Sequence, residues 1–239
     1  MTAGVWFPLL LRNRLAVSPP WWGLATTISL VSVVNSSLKL ISETAYRRRV
    51  RHAPPPQAPL FVIGHSRTGT TWLHELLVKD DRFSFPTTYQ CMAPSHFLLT
   101  DGLLSGWVDY LMPRRRPMDN MQVGTQLPQE DEFALMNLGV KSPYLEWAFA
   151  NRNNIWDDYL ALTELTSEQR TRWKETFRWF VGRLALRDER RLGRLRRRLG
   201  APVSPLESSP MDAGGVLCSG RLGASWANAA IRSEVLRTV

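Results

Sequence analysis

The sequence is poor in cysteine, poor in lysine relative to arginine, and free of long uninterrupted apolar runs. Its 239 residues include two cysteines, Cys91 and Cys218. These cannot build a disulfide framework, so a stapled secreted module is excluded and a reducing, cytoplasmic compartment is expected. Neither cysteine belongs to a C-x-x-C pair or a Cys/His cluster, and no zinc site is readable. No window of 18 or more uninterrupted apolar residues occurs, which excludes a polytopic membrane protein. Only four of the 30 basic residues are lysine and 26 are arginine, a skew that GC-rich coding produces as readily as selection for an anionic partner. No internal repeat is apparent.

Positive charge and apolar side chains are plentiful. Hydrophobic residues make up 44% and charged residues 21%, enough for a packed core. The net charge is +9 and the pI about 10.2. Arginines cluster at 47–51, 114–116 and 187–198. The ordinary reading of such runs is a solvated face, and an anionic surface is the sharper one.

Three segments follow from composition. Residues 1–57 read as a helical, membrane-associated segment ending in the stiff linker Pro54-Pro55-Pro56. Within it, residues 21–46 are moderately apolar, with Trp21 and Trp22 at one end and Arg47, Arg48 and Arg49 just beyond the other. Thr26, Thr27, Ser29 and Ser32 dilute the stretch below what a spanning helix of about 20 apolar residues needs. Two readings stay open: peripheral contact at a membrane interface, or packing against the protein's own body. Residues 58–186 look globular. There Leu60-Phe61-Val62-Ile63 predicts a buried parallel strand, and Thr166 with Gln169 predicts a capping box. Trp173, Phe177, Phe180 and Leu184 recur at helical spacing, as core packing does. Residues 187–239 turn to arginine, glycine, alanine and serine with poor periodicity, and are expected to be a disordered or frame-altered tail.

The informative stretch is residues 61–73, where a glycine-containing loop joins the predicted strand to a predicted helix. Free backbone N–H groups and the positive end of the helix dipole make an anion cradle there. Gly64-x4-Gly69 matches the first half of the Walker loop, but Thr70 stands where that motif requires lysine. The positive charge sits inside the loop instead, at Arg67, and two hydroxyls follow the glycine. A smaller or differently presented anion than a triphosphate is implied.

Arg67-Thr68-Gly69-Thr70-Thr71-Trp72 resembles the 5′-phosphosulfate loop of sulfotransferases that use 3′-phosphoadenosine 5′-phosphosulfate (PAPS). The arginine in first position is similar to the tyrosylprotein-sulfotransferase-like and bacterial branches. Segments beginning at Phe85, Arg116 and Pro128 also resemble the bacterial branch, so the likeness covers residues 58–186. It implies an α/β fold: a P-loop-like parallel sheet flanked by helices, incomplete at its C-terminal side, with the N-terminal helical segment ahead of it. It also implies PAPS as co-substrate without a metal, held by Arg67, Thr68, Gly69, Thr70, Thr71 and Trp72. Arg67 would neutralise charge on the leaving group, and Trp72 would stack on adenine or else pack in the core. The acceptor would be a small-molecule, carbohydrate or lipid hydroxyl or amine. Transfer needs a base for the acceptor's proton. His96, Glu130 and Glu132 are the candidates, beside the plainer readings of a loop histidine and of carboxylates complementing a helix dipole.

The family's second motif, an arginine ending a strand with a serine beyond it, holds the 3′-phosphate. Its only visible echo is Leu186-Arg187, which leads us to expect a truncated chain with impaired turnover. A P-loop kinase or hydrolase is the alternative enzyme, and it lacks the Walker lysine. A basic membrane-surface or RNA-binding protein is the alternative without catalysis. No aromatic-basic RNA motif supports it, so no specific nucleic acid is expected.

Overall fold

The computed structural model describes residues 1–52, 60–64, 70–80, 83–115, 122–142, 144–145, 165–198 and 215–221. Two helices open the chain: α1, Ala3–Arg12, and, after a 3-10 turn at Pro19–Trp21, α2, Trp22–Arg51. Then come strand β1, Leu60–Gly64, helix α3, Thr70–Leu77, and strand β2, Phe83–Ser84. Three helices follow: α4, Thr88–Met92, α5, Phe97–Leu111, and α6, Asp131–Asn137. Helix α7, Ser167–Arg198, and strand β3, Gly215–Arg221, complete the order.

The sequence explains several of these boundaries. Thr87 and Gln90 close a reciprocal capping box at the start of α4. Thr166 and Gln169 do the same ahead of α7, through Thr166 N–H to Gln169 Oε1 at 2.9 Å and Gln169 N–H to Thr166 Oγ1 at 3.3 Å. Helix α2 continues through its hydroxyl-rich middle because Thr26, Thr27, Ser29, Ser36 and Thr44 each donate to the carbonyl four residues back. Those hydroxyls therefore do not compete with the helix.

The core is helical. Tyr89, Cys91, Phe97, Leu98, Ala134 and Leu135 from α4, α5 and α6 pack on Trp173, Phe177, Phe180, Val181 and Leu184 of α7, and Tyr46 and Val50 of α2 close one side. Phe97 meets Phe180 edge-on at 6.1 Å, and Trp173 stacks on Phe177 at 5.2 Å. Each fully buried aromatic contributes about 2–3 kcal/mol by area. The stripe predicted at residues 173–184 is this packing face.

The α/β architecture expected from the sequence is not what forms. The described residues are mostly helix, and no strand residue belongs to the described core cluster. Among the described residues, strand pairing is confined to a small parallel patch in the order β1-β3-β2, in which β2 contributes two residues. The reason is burial. A parallel sheet is stable when several strands are covered on both faces, and here the continuous apolar stripes lie on helices. The boundary drawn at residue 186 falls inside α7, and Gly215–Arg221 of the following segment is the middle strand.

Candidate nucleotide and acceptor site

Strand β1 ends at Gly64 and α3 begins at Thr70. The loop between them, with His65, Arg67, Thr68 and Gly69, lies outside the described residues. Thr70 and Thr71 open α3, and the first backbone N–H groups of any helix have no partner within it and carry the positive end of its dipole. Trp72 is 66% exposed, so its indole is not core and its face is available for stacking. One turn on, His74 is buried, and desolvation pulls its pKa down to about 4.

Strand β3 runs parallel to β1, with Arg221 in register with Gly64. An arginine thus closes the strand beside the one that feeds the loop. Sequence reasoning sought such a residue and found only Arg187. The available signal was the short apolar run Val216-Leu217-Cys218 ahead of Arg221, hidden by the polar composition around it. Arg187 is committed elsewhere: its Nε and Nη2 donate to Asp101 Oδ2 at 3.1 and 2.9 Å. Gln90 Nε2 donates to the same oxygen at 3.2 Å, and Gln126 Nε2 to Oδ1 at 3.3 Å.

The acidic turn is anchored from the other side of β3. After β2, the backbone bridges at Thr87 and Pro128, and Gln129 N–H donates to the Pro86 carbonyl at 2.9 Å. This places Glu130 as the N-cap residue of α6, and α6 packs against β3. Glu130 is half-buried and accepts from the Tyr144 hydroxyl, whereas Asp131 and Glu132 are buried in the first turn. Three carboxylates at a helix start complement its dipole.

His96 caps α5 and is buried. Its Nε2 lies 3.0 Å from Asn35 Oδ1 of α2, and its Nδ1 lies 2.9 Å from Thr100 Oγ1. Asn35 Nδ2 donates to the Met1 carbonyl at 3.1 Å, so Asn35 Oδ1 is the acceptor and the ring proton sits on Nε2. Nδ1 faces the Thr100 hydroxyl, which donates to the His96 carbonyl at 3.1 Å. Burial pulls the ring's pKa down to about 4. Nε2 joins α2 to the core while Nδ1 stays on α5, an engagement that loop placement in the sequence does not announce.

No family model matches the chain, and no solved structure matches it. Two curated proteins do. The omega-hydroxy-beta-dihydromenaquinone-9 sulfotransferases Stf3 of Mycobacterium bovis and of Mycobacterium tuberculosis are each 43% identical to it over 182 residues. The match takes in 76% of this chain and 47% of each relative, so the chain spans about half the length of the curated relatives it matches. Over that stretch, which takes in the loop motif between β1 and α3, the chain is similar to these sulfotransferases.

Proposed function

We propose that the chain takes part in transfer of a sulfuryl group from PAPS to an acceptor hydroxyl, the acceptor being a lipid-like molecule met at a membrane surface. PAPS supplies the activated sulfuryl group. The chain's part is to hold the donor and to receive the acceptor's proton. The fit of the donor rests on three features: a strand leading into an anion-competent helix start at Thr70, an exposed Trp72 beside it, and Arg221 in register with Gly64. Arg67, Thr68, Gly69, Thr70 and Thr71 would hold the 5′ end, with Arg67 offering its planar fork to the developing charge. Trp72 would stack on the base.

The proton acceptor in this reading is Glu132 or Glu130 rather than His96, because both ring nitrogens of His96 are engaged with Asn35 and Thr100. Attack of the acceptor oxygen on sulfur forms the new S–O bond, breaks the S–O bond to the nucleotide phosphate, and sends the hydroxyl proton to the carboxylate. The lipid-like acceptor is inferred from the relatives, which are named for an omega-hydroxy-beta-dihydromenaquinone-9. The observation that carries the proposal is the Arg67-containing loop between β1 and α3 within the 43% identical stretch.

Calorimetry with adenosine 3′,5′-bisphosphate tests it. This nucleotide should bind more tightly than ATP and without magnesium. Arg67→Ala should weaken binding about tenfold or more, the scale of a charge-assisted pair. Magnesium-dependent ATP binding that survives the substitution would refute the assignment.

A further inference from the structure

Helices α1 and α2 form a hairpin with reversed polarity. Their shared seam is polar: Trp6 Nε1 donates to Ser29 Oγ at 2.8 Å, and Ala3 N–H to Ser36 Oγ at 2.9 Å. Ser32, between them on α2, is 1% exposed. Partners descend α2 as they climb α1, so the helices run antiparallel. The outward side of α2 is mostly apolar instead, with exposed Thr26, Thr27 and Ser37 turned back onto helix carbonyls. Leu30, Val33, Val34, Leu40 and Ile41 are each more than half exposed, and so are Trp21 and Trp22 at its start. A water-facing surface helix shows the opposite pattern. The stretch Pro19–Arg51 is long and apolar enough to cross a membrane by length and composition, and 6% of its apolar window is buried.

Charge points the same way. Residues 1–42 contain Arg12, Arg14 and Lys39 and no aspartate or glutamate. Exposed Arg47, Arg48, Arg49 and Arg51 close α2. Helix α5 repeats the design: Leu103, Trp107, Tyr110 and Leu111 form an exposed ridge at helical spacing, and exposed Arg114 and Arg115 follow it.

We propose that the α1–α2 hairpin docks in the plane of an anionic bilayer. Its apolar edge would lie at the acyl boundary and its arginines at the lipid phosphates, with the ridge of α5 as a second contact. The geometry favours lying over spanning. Helix α1 has ten residues, about 15 Å of rise against a hydrocarbon core of about 30 Å. Arg12 and Arg14 at its end would be dragged into hydrocarbon by tip-first insertion. Helix α2 is also tied along the protein body, by Asn35 to His96 at mid-helix and by Tyr46 and Val50 at the core. This deepens the membrane contact proposed above, and its readout, vesicle binding, does not depend on sulfuryl transfer.

The test is co-sedimentation of the full chain with phosphatidylcholine vesicles containing about one third phosphatidylglycerol, against pure phosphatidylcholine. The chain should bind the anionic vesicles about tenfold or more tightly, and about 0.5 M salt should abolish that preference. L30S/V34S/I41S, three outward positions, should lower binding about a hundredfold, roughly fivefold per side chain. R48E/R49E should remove the anionic preference while residual binding to neutral vesicles persists. Both variants should still bind adenosine 3′,5′-bisphosphate, which separates failure of the hairpin from failure of the nucleotide reading. Vesicle binding unchanged in L30S/V34S/I41S, equal binding to both vesicles, or resistance of membrane-bound chain to carbonate extraction would each overturn the proposal.

Discussion

Lowering the pH from 7 to 5 works against imidazoles that the fold holds neutral. His96 is 3% exposed, donates through Nε2 to Asn35 Oδ1, and has Nδ1 2.9 Å from Thr100 Oγ1. Burial lowers its pKa from 6.5 to about 4. The unfolded chain takes up that proton near pH 6.5, and the folded chain only near pH 4. Stability held by the neutral ring is therefore whole above pH 6.5 and is lost progressively as pH falls from 6.5 to 4. A gap of that size corresponds to about 2 kcal/mol per ring at pH 5 and about 3 kcal/mol at pH 4. His74, 4% exposed and likewise lowered to about 4 by desolvation, adds a similar amount. Urea unfolding at constant ionic strength should thus show about 4 kcal/mol less stability at pH 5 than at pH 7 from these two rings. His96→Gln should be less stable at pH 7 and should show about half of that histidine-dependent loss, since one ring remains. If His96→Gln loses stability between pH 7 and 5 as steeply as the parent chain, the reasoning fails. A ring proton of His96 titrating near 6.5 in the folded state would refute it as directly.

Two further outcomes follow from single contacts. Among the described residues, Arg187→Ala leaves the buried Asp101 carboxylate with two glutamine amides and no cation. It should cost about 2–4 kcal/mol in denaturant unfolding, and the double variant with Asp101→Asn should lose less than the sum of the singles. Gly139 sits at φ +93°, and a Cβ there would lie 2.9 Å from Val5 Cγ2 of α1. Gly139→Ala should therefore lower stability by about 1–3 kcal/mol, and Val5→Ala should relieve the steric part but not the backbone part, as thermal melts of the double variant would show.

Much of the local architecture could be read from the residues. The apolar run at Leu60–Gly64, the helix opening at Thr70, the capping box at Thr166 and Gln169, and the packing face of Trp173, Phe177, Phe180 and Leu184 all stand where periodicity put them. These features depend on neighbours within a few positions, and local sequence carries that information. The loop motif is of the same kind, and it pointed to the family together with the segments beginning at Phe85, Arg116 and Pro128.

Other features depended on which distant segments meet. Local pattern allowed His96 to be a loop base; the tertiary structure joins it to Asn35, 61 positions away, and buries it neutral. Arg187 looked like a phosphate ligand until Asp101, 86 positions away, was found against it. The register of Arg221 with Gly64 joins two ends of the chain that share no periodicity. The balance between helix and sheet was decided the same way: a single strand pattern cannot report how many partners will cover it, whereas helical stripes find each other through burial. The reversed polarity of the α1–α2 hairpin belongs here too. Its serines, which read as dilution of an apolar helix, become the seam only when Trp6 and Ala3 lie against them. Sequence sets what each element can bury, and the tertiary contacts decide what is buried against what, because hydrogen-bond and charge partners are chosen by proximity in space rather than along the chain.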